Sequence, residues 1–147
     1  TEPTNSVFTI GSTGNMTTSG ESVLGLLWTS IPGFSAFGSY TGNGNADGPF
    51  VYTGFKPRWL LMKETNDATN WLIYDSERNV SNPTSFYLFP NTDAGGNTYE
   101  AANTNLPVDF LSNGFKIRNN NSGTNASSDT YVWAAFAEHP QKTARAR

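Results

Sequence analysis

The sequence contains no cysteine. Disulfides and thiolate metal sites are therefore excluded, and the chain fits either a cytosolic product or an extracellular particle stabilised by other means. It has one histidine, His139, just before Pro140 and close to the C-terminus. A Ser-His-Asp triad would have to use it, and a surface or strand-end histidine is the plainer reading. No apolar run approaches the ~20 residues of a membrane span. No stretch combines helical periodicity with caps at its ends. Lys and Glu are sparse. The chain opens at Thr1 on a polar segment with no signal peptide, which reads as a processed or excised piece of a longer protein. Positive charge is also scarce outside the tail. The formal net charge is −3, and Lys142, Arg145 and Arg147 sit in the last six residues; the remaining six basic side chains face 12 acidic ones. An acidic body argues against nucleic acid as a partner, and the basic tail, residues 141–147, reads as a frayed, solvated end.

What is present is Asn, Ser, Thr and Gly in quantity, with 14% aromatic residues over a length of 147. That length suits one domain with a full core, and the composition suits a β-rich chain with many polar loops. The densest apolar stretch is Gly54–Asn79. Arg58–Lys63 reads as a strand with Trp59 and Leu61 on one face and Leu60 and Met62 on the other, hence buried on both sides. Thr65–Asn70 is a polar turn, and Trp71–Asp75 is a second strand, giving a long hairpin at the centre of a sheet. Around it lie Val7–Ile10, Ser22–Ser30, Phe34–Thr41, Phe50–Tyr52, Ser85–Phe89, Val108–Leu111, Phe115–Arg118 and Thr130–Glu138. Ser112-Asn113-Gly114 is the strongest hairpin signal. About ten short strands at regular spacing predict an all-β, antiparallel β-sandwich or jelly roll. The expected core includes Trp28, Trp59, Leu61, Trp71, Ile73, Phe115, Tyr131 and Phe136.

The chain also echoes itself. Phe8-Thr9-Ile10, a polar loop and Ser19–Val23 lead to Trp28, while Phe115-Lys116-Ile117, a polar loop and Ser127–Tyr131 lead to Phe136. Residues 1–33 are either closing strands of a preceding copy in a tandem array or part of the same sandwich as residues 34–140.

Few side chains are arranged for chemistry. Asp75 and Glu77 stand two apart after a strand, about 6.5–7 Å at strand rise. That is wider than the ~5–5.5 Å of retaining glycosidases, and a third alternating carboxylate is missing. Asp75 reads better as the cap of the next turn or the partner of Arg78. Asn43, Asn45 and Asp47 in GNGNADG mimic the opening of a calcium loop, but Gly54 stands where the closing acid should be. A turn built on Gly and Asn is the simpler reading, so no metal or other cofactor is expected. Tyr87, Tyr99, Trp71 and Tyr40 could offer a stacking face for glycan, with Asn97 and Asp93 as hydroxyl partners. Tyr99 lies in a polar stretch and is the best placed of the four, whereas Trp71 suits the core.

Five runs in order carry a resemblance: SYTGNGNADG, GFKPRWLLMK, WLIYDSERN, LSNGFKIRNNN and SSDTYVWAAFAEHP. With Thr41–Gly44, Gly54–Lys63, Trp71–Arg78 and Gly114–Glu138 as signatures, Phe34–Pro140 resembles a repeated domain of tailed-phage and prophage tail or fibre proteins, sometimes labelled SPRY-like or concanavalin A-like. The resemblance implies a concanavalin A-like sandwich and a non-enzymatic structural module of the virion, assembled in the host cytoplasm. Other virion proteins, a homo-oligomer (a trimer) and host-surface glycan are the implied partners, without membrane insertion. A capsid or tail decoration protein is the second reading, and a polysaccharide-degrading enzyme the third. The family brings no established catalytic residues.

Overall fold

A computed structural model describes residues 4, 7, 22, 25, 27–92, 98, 99 and 105–140. Nine strands and one helical turn are formed among them: β1 Ser35–Thr41, β2 Phe50–Tyr52, β3 Pro57–Glu64, β4 Leu72–Asp75, β5 Tyr87–Leu88, β6 Thr98–Tyr99, β7 Val108–Leu111, β8 Gly114–Ile117, α1 Ser122–Asn125 and β9 Thr130–Ala137. All pairings are antiparallel. They make a six-stranded sheet, β1-β9-β3-β4-β5-β6, and a three-stranded sheet, β2-β8-β7. The chain is an all-β antiparallel sandwich, as its composition predicts. Residues 1–3 and 141–147, residues 8–10 of the expected strand Val7–Ile10, and residues 23, 24 and 26 of Ser22–Ser30 lie outside the described residues.

The expected hairpin is β3–β4, in register from Trp59 opposite Asp75 to Met62 opposite Leu72. β9 lies on its other side and pairs with both β3 and β1, so the closing strand is as central as the hairpin. The sheets meet where the Phe115 ring of β8 sits edge-on to Trp133 at 5.6 Å and to Tyr40 at 6.1 Å. Leu60, Met62, Leu72, Tyr74, Val108, Phe110 and Ile117 complete this core.

The core assignment needs correction. Phe115 and Tyr131 are fully buried, as expected. Trp59, Leu61, Ile73 and Phe136 are only half-buried, on the face of the large sheet turned away from the small one. Trp28 and Trp71 are 54% and 38% exposed. Alternation fixes which residues share a face. Here both faces of β3 and β4 are apolar, so the pattern alone does not say which one meets the three-stranded sheet.

One local expectation also changes. Asn119–Ser128 reads as loop, yet Asn121 caps one helical turn by accepting from Gly123 N. The hairpin expected at Ser112-Asn113-Gly114 is formed, between β7 and β8. The loop residues are Ser112 and Asn113, neither takes positive φ, and Gly114 already belongs to β8. Glycine is needed there because a Cβ would stand 2.1 Å from the Val51 carbonyl oxygen of β2.

Candidate functional site

The two carboxylates after β4 serve the turn. Asp75 Oδ1 accepts from the backbone N–H of Glu77 at 3.1 Å and of Arg78 at 2.8 Å, and Oδ2 takes the Arg78 Nε at 2.8 Å. This is the cap and the ion pair expected from the sequence. Glu77 turns instead to Arg58 of β3, at 2.7 Å. Each carboxylate therefore has its own guanidinium. His139 is 84% exposed at its side chain, 3.8 Å from Glu138.

The GNGNADG loop uses its oxygens on itself. Asn43 Oδ1 accepts from Asn45 N and Asn45 Oδ1 from Asp47 N, both at 2.9 Å, in the manner of Asx turns. Asp47 pairs with Lys116 Nζ at 2.9 Å, and this hydrogen-bonded cation holds its carboxyl below the usual carboxylate range. No group of three or more acidic, His or Cys side chains able to hold a metal occurs among the described residues.

Beneath that loop lies an asparagine knot. Asn125 is fully buried; its Nδ2 faces Asn43 Oδ1, Asn45 O and Asn119 O at 2.7–2.9 Å, and its Oδ1 accepts from Asn43 N at 2.8 Å. Asn119 Oδ1 accepts from Thr124 Oγ1 at 2.8 Å and from Asn121 N at 2.9 Å. The stacked rings of Tyr40 and Tyr131 stand underneath, 4.9 Å apart. The Tyr40 hydroxyl donates to Thr124 O at 2.7 Å, and that of Tyr131 donates to Ser122 O at 2.5 Å while accepting from Ala126 N. Burial raises both phenols, Tyr131 to about 12. They remain donors, and they pin α1 to the sheet.

The pinned turn forms one wall of a cleft of about 270 Å³ at the tip of the β3–β4 hairpin. Thr69 and Asn70 come from the tip, Asn121, Ser122 and Gly123 from the start of α1, and Leu72, Phe89 and Leu106 add apolar surface. Asn91 joins its flank, its Nδ2 donating to Asn70 Oδ1 at 3.0 Å and its Oδ1 accepting from Trp71 N at 2.9 Å. Next to Thr69 stands Glu64, the last residue of β3. It is wholly buried, and neither carboxyl oxygen has a hydrogen-bond partner among the described residues. Burial pushes its pKa up, with help from Asp129 and Asp67 and partial opposition from the Thr69 hydroxyl. Amides and hydroxyls around an aromatic and two leucines can hold a polyhydroxylated ring, hydroxyls to the rim and C–H face to the apolar surface.

The sequence model of a domain of unknown function (DUF7483) matches residues 1–140. The chain belongs to the DUF7483 family. No curated protein and no solved structure matches it. The DUF7483 sandwich places the expected glycan residues unevenly. Tyr87 is a core residue, 3% exposed, against Tyr74 at 5.7 Å and Phe89 at 5.2 Å, which corrects its assignment as a ligand contact. Tyr40 is likewise buried, its hydroxyl spent on α1. Both rings project inward because their strand positions face the second sheet. Tyr99 pairs with Tyr87 through the backbone, and its side chain lies outside the described residues, as do Asp93 and Asn97. The cleft residues Thr69, Asn70, Phe89, Asn121 and Ser122 escaped the sequence reading. Their only signal was an Asn or Ser beside a strand end or a turn, which many loop residues here share.

Proposed function

We propose that this DUF7483 chain is a non-enzymatic structural module of a tailed-phage virion, a tail-fibre sandwich that contacts host-surface glycan through the hairpin-tip cleft. The observation that carries the reading is the cleft itself. Its polar groups come from two separated segments, the hairpin tip and the start of α1, and the Tyr40–Tyr131 pair and the asparagine knot hold the second rigidly. A preorganised site loses little freedom on binding. The phage origin, the virion location, the assembly with other virion proteins and the homotrimer rest on the motif resemblance from Phe34 to Pro140. The deciding experiment is a glycan array with the purified chain, followed by titration of any hit. Asn70→Ala and Asn121→Ala should each weaken binding by about five- to fiftyfold, a loss of one or two polar contacts. Absence of binding to host polysaccharide at high protein concentration would defeat the glycan reading.

The apolar outer face of the large sheet favours a second reading, a capsid or tail decoration protein. Electron-microscopic density at a fibre tip or on a capsid lattice separates the two. A polysaccharide-degrading enzyme ranks third, because Asp75 and Glu77 are each committed to an arginine.

A further inference from the structure

The last residue of β3 carries a carboxyl that the fold seals in without a counter-ion. Glu64 is wholly buried, and none of the ion pairs among the described residues includes it. The adjacent Lys63 turns its ammonium to the backbone carbonyls of Glu64 and Asp67 and to Thr69 Oγ1. Neither β1 nor α1 brings a charged side chain. What faces Glu64 is acidic or hydroxylic. The Asp129 carboxyl and the Thr69 hydroxyl are its hydrogen-bonding neighbours, and Asp67 adds negative charge from the hairpin turn. Tyr131 stands directly opposite on β9. Two ionised carboxylates are both acceptors, so their contact is a repulsion. One proton between them makes it a strong hydrogen bond. A buried carboxyl with no cation beside it favours the state that holds that proton.

The backbones on either side of this contact are already tied. Thr65 N donates to Thr130 O at 2.9 Å, Thr65 Oγ1 donates to the same oxygen at 3.0 Å, and Thr130 N donates to Asn66 Oδ1 at 3.2 Å. Repulsion between the carboxyls is therefore not relieved by parting β3 from β9. It falls on the turn 126–129, which joins α1 to β9. That turn is the weaker structure. Asp129 N reaches Ala126 O only at 3.4 Å, and Ser128 holds φ +72, a left-handed conformation uncommon for serine. Asp129 is half-buried, so its carboxylate has water within reach. Charged beside a charged Glu64, it turns outward, and the turn loses a tie to the hairpin. The cleft wall hangs from the same turn. Ala126 N donates to the Tyr131 hydroxyl, which donates in turn to the carbonyl of Ser122, a residue of that wall.

We propose that Glu64 and Asp129 share one proton and act as an acid latch between the β3–β4 hairpin and the turn that carries α1, closed in mild acid and released when both carboxyls ionise. The latch goes beyond the glycan reading and stands without it, because it concerns the wall of the cleft and not what the cleft holds.

Carboxyl carbon-13 NMR of the full-length protein reads the pair directly. Glu64 and Asp129 should titrate as one coupled unit, with each carbon reporting both of two separated steps. Asp129→Asn should leave Glu64 a single step at lower pH. Independent single steps in the parent protein, or a Glu64 titration that Asp129→Asn does not move, overturn the proposal. Hydrogen exchange reads the consequence. After correction for the intrinsic pH dependence of exchange, the amides of Asn125, Ala126 and Ser128 should lose protection severalfold between about pH 5 and about pH 8, more than the amides of the β3–β9 pairing. Glu64→Gln, whose side-chain amide donates to Asp129 at every pH, should keep the acid-side protection throughout. Equal protection of the turn at both pH values in the parent protein overturns the latch, as does a loss in Glu64→Gln that matches the parent's. Both measurements use the protein without ligand, so a failed glycan array leaves them unaffected.

Discussion

Glu64 is the residue whose setting differs most from its appearance in the sequence. It ends an apolar strand, where a carboxylate ordinarily reaches water, yet it is wholly buried, and neither oxygen meets hydrogen-bond geometry with a partner among the described residues. A folded-state pKa above the ordinary value means that the folded protein holds the proton more tightly than the unfolded chain. The stability associated with Glu64 is therefore present at low pH and is lost as pH rises from the usual glutamate range through the raised value. Glu64→Gln should remove that part of the pH dependence and, by taking away the buried charge, stabilise the protein more at pH 7.5 than at pH 4. Urea denaturation of both proteins at pH 4 and pH 7.5 checks the sign. Asn125 is the converse case, a buried side chain with every polar atom engaged. Asn125→Ala leaves Asn43 N and the carbonyls of Asn45 and Asn119 without this partner and should destabilise by about 2–4 kcal/mol, seen as a lower urea midpoint. Asp75 was legible in the sequence because its partners lie two and three residues away. Glu64 and Asn125 were not, because their surroundings come from distant segments.

At the scale of elements, strand identity was readable and relative placement was not. The β3–β4 hairpin follows from its apolar alternation and the polar turn between its strands. The role of Gly114 does not follow, since Asn-Gly suggests a turn and the structure uses the glycine for a close approach to β2. Gly114→Ala should therefore act on β2. A Cβ at 2.1 Å from the Val51 carbonyl oxygen cannot be accommodated without separating β2 from β8. We expect a loss of about 1–3 kcal/mol, the usual range for overpacking. Hydrogen exchange should show the largest acceleration at the β2 and β8 amides, beyond the general loss of protection at the β3–β9 pairing that follows from lower global stability.

For the whole molecule, the two sheets share one core, with Phe115 touching residues of β1 and β9 in the larger sheet. A shared core couples their unfolding. Calorimetry should show one transition, and Phe115→Leu should lower it without splitting it, at a cost of about 1–2 kcal/mol. Two transitions in the variant would mean that the three-stranded sheet is a separate unit. The hairpin-tip cleft belongs to this scale too, because hairpin tip, residue 89 and α1 meet only in the folded chain.

The sequence by itself determined the fold class, the hairpin, the cap at Asp75 and the lack of thiol chemistry. Each depends on composition or on neighbours within a few residues, where alternation and turn chemistry act directly. Tertiary structure alone decided which apolar face of β3 and β4 meets the second sheet, that Tyr87 and Tyr40 are interior, that Glu64 is sealed from water, and that Asn70 and Asn121 share a cleft. These depend on which surfaces another segment covers. In a strand apolar on both faces, local pattern carries no record of that choice.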